Sequence, residues 1–369
     1  MNAKRPSLAL IIPGGIGTGK DNIGVPVLNG LVKLIGSRYD LTIFQLSKTN
    51  EDFKAEGFEL ISVHHSSPLV RIARFPSIFS KHHRAKKFVA VHGFWAMPAG
   101  MLAVMVGRIH GIKSIVSLLG GDAVGLPQIS YGRLHRPLMR RLIFWTLRNA
   151  TNSNALTNYL VNNLRDYDFN GKVDVIPWGV DRELFDYHPN PFLLTDRPVS
   201  FLHVANLHPV KDQETLLRAF NLIRNEISSK LIIVGSGIDQ EKVTTLISEL
   251  KLNDVVELRE PVPYEKLSSI YHSADILLHT SLSEGQSEVV TEAMSCGVVV
   301  CGTRVGLIHD LEQQCVAVDV GDYKKLAATT IALLKDPGRM NDLRIKAHQW
   351  TSVHDIRWTA KRYLELYGS

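Results

Sequence analysis

Short, largely apolar runs alternate with amphipathic stretches along most of this chain. In the first half the runs are Ser7–Ile12, Leu41–Phe44, Phe58–Val63, Phe88–His92 and Ser114–Leu119, with helical spacing over Val25–Ile35 and Asn154–Leu164. In the second half they are Val199–Ala205, Leu231–Val234, Val255–Leu258, Asp275–Thr280, Val298–Cys301 and Val316–Val318. Helical patterns stand between or after them at Gln213–Ile227, Tyr264–Ala274, Glu288–Cys296, Tyr323–Leu334, Arg339–Trp350 and Ile356–Tyr367. Apolar strands alternating with helices predict parallel sheets covered on both faces, an α/β class. The pattern breaks once, over residues 186–198, where Pro189, Pro191 and Pro198 mark a linker. A chain of 369 residues is long for one core. Two doubly wound domains are expected, residues 1–185 and 199–351, with a last helix of about 352–369 able to pack back on the first.

The stretch Ser281–Gly306 carries most of the chemistry. A strand ends at Thr280, a polar loop Ser283-Glu-Gly-Gln-Ser287 follows, and a helix runs to Cys296 with Gly297 at the position that favours positive φ. In such a βαβ unit the helix N-terminus lies at the carboxyl edge of the sheet, where its N–H groups and dipole attract phosphate. Glu284 precedes the helix and Glu292 lies about one turn inside it. Ionised carboxylates accept hydrogen bonds from vicinal hydroxyls. An anion-binding helix end between two such groups suits a sugar attached to a nucleoside diphosphate. Two surface glutamates on a solvated helix is the competing reading of either residue alone.

The run from Glu284 to Val300 resembles the retaining GT-B glycosyltransferases of glycosyltransferase family 4, the glycosyl transferases group 1. Their usual form is E-G-F-G-x-x-x-x-E-A-M-A-x-G-x-P-V; here Gln286, Ser287 and Val299 depart from it. Val91–Gly100 resembles the family's H-x-H-W-x-x-P-x-G, keeping His92 and placing Phe94 at the second histidine. Gly120-Gly-Asp122 resembles its H-G-x-D with Leu119 in the histidine's place, and Val173–Asp181 resembles the segment that leads into the interdomain link. The loop Asn206–Asp212 resembles G-R-L-x-x-x-K-G, with Lys211 matching the lysine and Asn206 replacing the arginine. The resemblance implies a GT-B fold, two Rossmann-like domains facing across a cleft. It also implies retaining, metal-independent transfer, with no cofactor, from a UDP-sugar or GDP-sugar to a saccharide or lipid-linked acceptor in cell-surface polysaccharide synthesis. Carried over residue by residue, it makes Glu284, Lys211, Asp122 and His92 catalytic candidates. Gly17, Asn206, Lys211, Glu284, Gly285, Gln286, Ser287 and Glu292 become donor-binding candidates. A GT-B nucleotide-sugar epimerase, or a non-catalytic protein that binds sugar nucleotides, are the alternatives.

Two other motifs lose on chemistry. Gly14-x4-Gly19-Lys20 is nearly a P-loop, but Asp21 stands where Ser or Thr must bind Mg²⁺. Gly15-x-Gly17 lacks the third glycine of a dinucleotide fingerprint, because Lys20 occupies that place. The run is expected to be a loop at the first strand-to-helix junction. Asp166-Tyr-Asp168 matches the D-x-D metal motif of the other glycosyltransferase fold, yet no buried strand precedes it.

Charge adds a partner class. Residues through 185 hold 23 Lys+Arg against 12 Asp+Glu, and the remainder 19 against 24. The excess sits in 71–87 and 133–148, two acid-free segments; the second alternates five arginines with Leu138, Leu142 and Trp145 like an interfacial helix. Two readings stand: peripheral contact of the segments with anionic lipid, each cation near the surface contributing about 1 kcal/mol, or a solvated basic face whose apolar side packs on the sheet; the family resemblance, with its lipid-linked acceptors, favours contact. No apolar run is long enough to span a bilayer and no secretory signal opens the chain, so a cytoplasmic protein, peripheral on the inner face of the membrane, is expected. Cys296, Cys301 and Cys315 lack metal-ligand spacing and are expected as buried thiols. No nucleic-acid partner is expected.

Overall fold

A computed structural model describes residues 5–18, 24–188 and 197–368. The chain forms two compact units, one ending at Trp178 and completed by the segment from Ile356, the other spanning Gly179–Asp355. The first unit thus stops before the boundary at 185 expected from sequence. The reason is packing: Val180 and Phe185 are buried in the core of the second unit, and Ser295 Oγ donates to the Phe185 carbonyl at 2.5 Å. Of the expected linker, residues 189–196 lie outside the described residues.

Among the described residues the first unit holds strands β1 (Ser7–Ile12), β2 (Asp40–Gln45), β3 (Glu59–Ser62), β4 (Ala90–Phe94) and β5 (Lys113–Leu118). A small hairpin, β6 (Gly125–Leu126) and β7 (Tyr131–Gly132), follows, then β8 (Asn152–Ala155) and β9 (Asp174–Val175). The main sheet is parallel, in the order β3-β2-β1-β4-β5-β8-β9. β1 is central and buried along its whole length, which explains why its sequence is apolar on both faces. The expected helix Asn154–Leu164 divides into β8 and a helix Asn158–Arg165, whose N-cap Thr157 accepts from Leu160 N–H. β8 escapes an apolar pattern because it is a buried polar strand; Asn154 Oδ1 accepts from Ser117 Oγ at 2.8 Å.

The last helix, Ile356–Tyr367, belongs to this unit. Its Tyr363 and Tyr367 are buried, and Trp178 Nε1 donates to Tyr363 Oη at 2.9 Å. Thr359 Oγ1 donates to the Pro177 carbonyl at 2.8 Å. Trp358 and Leu366 pack only partly buried against the same core.

The second unit holds β10 (Val199–Val204), β11 (Ser229–Val234), β12 (Val256–Arg259), β13 (Ile276–His279), β14 (Val299–Thr303) and β15 (Val316–Val318). They form a parallel sheet in the order β12-β11-β10-β13-β14-β15. The order reverses between β10 and β13, the topological switch point where doubly wound sheets bind ligands. The helix Glu288–Cys296 buries Val290, Ala293 and Met294, and Gly297 ends it at φ 85. Burying a side chain such as Met294 contributes about 1.5–3 kcal/mol, enough to fix this short helix whose own propensity is weak. Arg197 grips the buried Asp275 carboxylate with two bonds of 2.7 Å, tying the start of β10 to β13. The three cysteines are buried and unpaired, and burial pushes their thiols up to about 12 for Cys296 and Cys301. Among the described residues no helix is long and apolar enough to cross a membrane.

Candidate active site

In the second unit the loops after β10 and β13 meet. Thr280 Oγ1 donates to the carbonyls of Lys211 and Asp212, each at 3.0 Å, and Leu282 N–H donates to the Val210 carbonyl at 2.8 Å. These bonds hold the short turn Pro209–Lys211 against the loop before the helix Glu288–Cys296. The loop backbone also lies flush on the next turn. A Cβ on Gly235 would stand 1.9 Å from the Ala205 carbonyl oxygen, and one on Gly237 2.2 Å from that of Leu207.

The result is a charged pair at the switch point. Lys211 Nζ donates to Glu284 Oε1 at 2.5 Å, Ser281 Oγ donates to the same oxygen at 2.6 Å, and His279 Nε2 lies 3.5 Å from it. Burial alone pushes the Glu284 carboxyl up, but Lys211 and His279 together outweigh it and hold the group well below the usual carboxylate range. Glu284 therefore stays ionised. Gly285 and Gln286 are buried beneath it; Leu307 N–H donates to the Gln286 carbonyl at 3.0 Å, and a Cβ on Gly306 would meet that oxygen at 2.8 Å. Ser287 then opens the helix at φ 77.

Inside the helix the environment changes. Glu292 is buried, accepts from Tyr271 Oη at 2.7 Å, and is pushed up to about 7 by desolvation, which the tyrosine bonds partly offset. Glu288 occupies the first helical position, where burial first and then the neighbouring Glu292 charge push it up to about 8. Of these three carboxylates only Glu284 pairs with the Lys211 ammonium, and only Glu284 is held below the usual carboxylate range. Tyr271, Ser281, His279 and Glu288 went unmarked in the sequence, because none of them shares a spacing with the glutamate pair. Asn206 is exposed in the loop after β10, and Gln213 Nε2 donates to its carbonyl at 3.2 Å.

The first unit receives the remaining sequence candidates and separates them. His92 is not a surface base. It is fully buried on β4, with Nδ1 2.7 Å from Tyr367 Oη and Nε2 2.7 Å from Ser117 Oγ. Desolvation lowers its pKa to about 3, so it is a neutral core histidine that both bonds fix in place. Phe94 stacks on it with ring centroids 4.1 Å apart, which explains an apolar residue at that position. Asp122 is buried as well. Its Oδ2 accepts from Ala96 N–H at 2.7 Å and its Oδ1 from Gly120 N–H at 3.1 Å, so it pins the turn after β5 to the segment after β4.

Gly17 has φ 56 and lies against the Phe53 ring, with a hypothetical Cβ 2.3 Å from it. Gly19, Lys20 and Asp21, on which the P-loop comparison turned, lie outside the described residues. Asp166 and Asp168 are exposed in the turn after the helix Asn158–Arg165. A cavity of about 780 Å³ opens beside Gly14 and Gly15, and Trp95, Asp122, Tyr131, Arg133 and Arg136 are among the residues of its wall.

Of the two basic segments, 71–87 falls mostly in the helix Pro68–Lys86. Arg71 Nη1 donates to the Leu46 carbonyl and Lys86 pairs with Asp40 and Glu59, while Arg74, Lys81, Arg84 and Lys87 are exposed. The helix Pro137–Asn149 buries Ile143, Phe144 and Leu147 and leaves Leu138 66% and Trp145 38% exposed beside Arg141.

Comparison with known proteins follows this division. Residues 188–350 match the family described as glycosyl transferases group 1, and residues 26–179 match a glycosyl transferase 4-like domain. A D-inositol 3-phosphate glycosyltransferase of Arthrobacter sp. is 30% identical over 294 residues, covering 74% of this chain and 68% of the relative. An N-acetyl-alpha-D-glucosaminyl L-malate synthase of Bacillus anthracis is 25% identical over 257 residues, covering 67% and 65%. The chain spans from half to about two thirds of the length of the curated relatives it matches first. Among solved structures, sucrose-phosphate synthase from Thermosynechococcus elongatus superposes with a TM-score of 0.79 at 19% identity over 98% of each chain. Anabaena HepE in complex with UDP superposes with a TM-score of 0.79 at 16% identity, over 97% of this chain and 98% of that one. Both likenesses establish the GT-B fold.

Proposed function

The chain belongs to the glycosyl transferases group 1 family, and from that premise we propose that it moves a sugar, with retention of configuration, from a nucleoside diphosphate sugar to a saccharide or lipid-linked acceptor. The Lys211–Glu284 pair beside the N-terminus of the helix Glu288–Cys296 is the observation that carries this reading.

As the bond from the sugar to the diphosphate breaks, negative charge collects on the leaving oxygen and positive charge on the sugar ring. Lys211 and the N–H groups around Gln286 and Ser287 receive the first; fixed charges and dipoles of this kind cost no reorganisation during the reaction. Glu284 presents its second oxygen to donor-sugar hydroxyls, since Lys211, Ser281 and His279 all approach Oε1. Glu292, oriented by Tyr271, takes the ribose hydroxyls. Asn206 adds a neutral donor where the family has a cation. The departing diphosphate accepts the acceptor's hydroxyl proton. Lys211 and the helix end supply the positive charge, so the step needs neither metal nor cofactor. His92 has no part in it, and Asp122 acts by shaping the loop around the cavity of the first unit.

The setting we infer is cell-surface polysaccharide synthesis at the cytoplasmic face of a membrane. The exposed Leu138, Arg141 and Trp145, and the cations exposed over 71–87, supply the lipid contact. The same donor site would also serve an epimerase, but that reaction needs no acceptor.

A panel of UDP- and GDP-sugars in a thermal-shift assay tests the donor site. A cognate donor at a hundredfold excess over its Kd raises Tm by roughly 5–10 °C. Product analysis by NMR then reads the anomeric configuration. A panel in which no nucleotide or nucleotide sugar moves Tm would end this reading.

A further inference from the structure

The cavity of the first unit has a chemistry that the donor site does not explain. Its wall combines two flat rings, Trp95 and Tyr131, with two guanidinium groups, Arg133 and Arg136. Arg133 is close enough to Asp122 to lower that carboxyl's pKa against the larger upward push of burial. Both Asp122 oxygens, however, are taken by backbone N–H groups. Arg136 Nε makes only a long bond, 3.4 Å, to His135 Nε2. Among the described residues neither arginine has an acidic ion-pair partner. Other arginines nearby are engaged: Arg140 donates to the Leu134 carbonyl and lies over Tyr167, and Arg148 lies over Phe144 and Phe169. Two guanidinium forks beside one carboxylate, whose oxygens already accept from backbone N–H groups, keep donors that match a phosphate or carboxylate, which such forks bind bidentately.

We propose that this cavity holds the acceptor and that the acceptor carries an anionic group, phosphate or carboxylate, near the hydroxyl that is glycosylated. Arg133 and Arg136 bind the anion, and Trp95 and Tyr131 cover the ring or chain that bears it. The proposal rests on the glycosyl-transfer reading and names its second substrate by class. The same chemistry is found on a free polyol phosphate and on a lipid headgroup.

Binding of myo-inositol, myo-inositol 3-phosphate and phosphatidylinositol vesicles to the full chain, measured by calorimetry, separates these cases. UDP and GDP are titrated in parallel. The phosphorylated ring, free or in the vesicle, should bind at least roughly tenfold more tightly than the neutral ring, about what one charge-assisted pair contributes. The gap should close in the Arg133→Gln/Arg136→Gln double variant and partly return with lysine at both positions, while nucleotide binding stays as in the wild type. Binding by the free phosphate identifies a soluble acceptor, and binding by the vesicle alone a lipid one; either supports the proposal. Equal binding of the neutral and phosphorylated rings, including none by either, overturns it, as does a gap that survives in the double variant. Failure of UDP and GDP to bind the wild type would instead undo the glycosyl-transfer reading and leave the anion comparison standing on its own.

Discussion

The Ser287 hydroxyl lies 2.8 Å from Nε2 of His279, so the residue that opens the helix Glu288–Cys296 is tied to the end of β13. Ser287 has φ 77, a region in which glycine is at ease and serine is strained. The hydrogen bond and the backbone strain therefore act in opposite directions at one residue. Ser287→Ala keeps the strain and loses the bond; Ser287→Gly loses both. The alanine variant should be less stable than the glycine variant by about 1 kcal/mol. Urea denaturation of the two proteins checks the order, and alanine at or above glycine would contradict it.

Lys211 and Glu284 should behave as a unit. Lys211→Ala removes the cation that keeps Glu284 ionised, and Glu284→Gln removes the charge it answers. Each change should lower kcat/KM by roughly 10²–10³, the range for loss of one preorganised electrostatic group. Because the groups share one interaction, the double variant should fall well short of the product of the single losses. Steady-state kinetics with the donor found in the thermal-shift panel measures this.

Glu288 and Glu292 give stability a pH dependence of known sign. Both folded pKa values, about 8 and about 7, lie above the ordinary 4.5. The stability they contribute is present at or below pH 4.5 and is lost as pH climbs through 7 and 8. Glu288→Gln removes one of the two. Its Tm should match the wild type near pH 4.5 and exceed it above pH 8. A difference that stays flat from acid to alkaline pH would show that Glu288 is not held in a desolvated setting.

The His92 network predicts stability without catalysis. Tyr367→Phe leaves a fully buried imidazole nitrogen unpaired and should cost about 1–3 kcal/mol. Turnover of the folded enzyme should stay within about twofold, since no atom of His92 reaches solvent. A drop in kcat of the order seen for a catalytic histidine, roughly 10²-fold or more, would return His92 to the reaction.

Leu138 and Trp145 set the membrane test. Replacing both by serine should release the protein from phosphatidylglycerol vesicles in a flotation assay while the protein stays folded, because Leu138 is mostly exposed and Trp145 partly so. Flotation that persists would remove this helix from the contact.

Much of this was legible in the residues, for physical reasons. Parallel strands are buried on both faces, so β1, β11 and β14 show as apolar runs. β8 was hidden because its residues are polar and find their partners across the sheet, as Asn154 does in Ser117. His92 misled for the same reason: a histidine at a strand end looks alike whether it faces solvent or, as here, a tyrosine 275 residues on. The cavity arginines stood out only as excess charge. Which of them lack an acidic partner depends on the fold.

The helix Ile356–Tyr367 has a consequence for how the protein is made. The first unit cannot seal its hydrophobic interior around Tyr363 and Tyr367 until the ribosome has translated the whole of the second. During synthesis the earlier half must wait with an open seam, a state in which a chaperone finds exposed apolar surface. A nascent chain halted before Ile356 should be digested in its first half by a protease that spares the second.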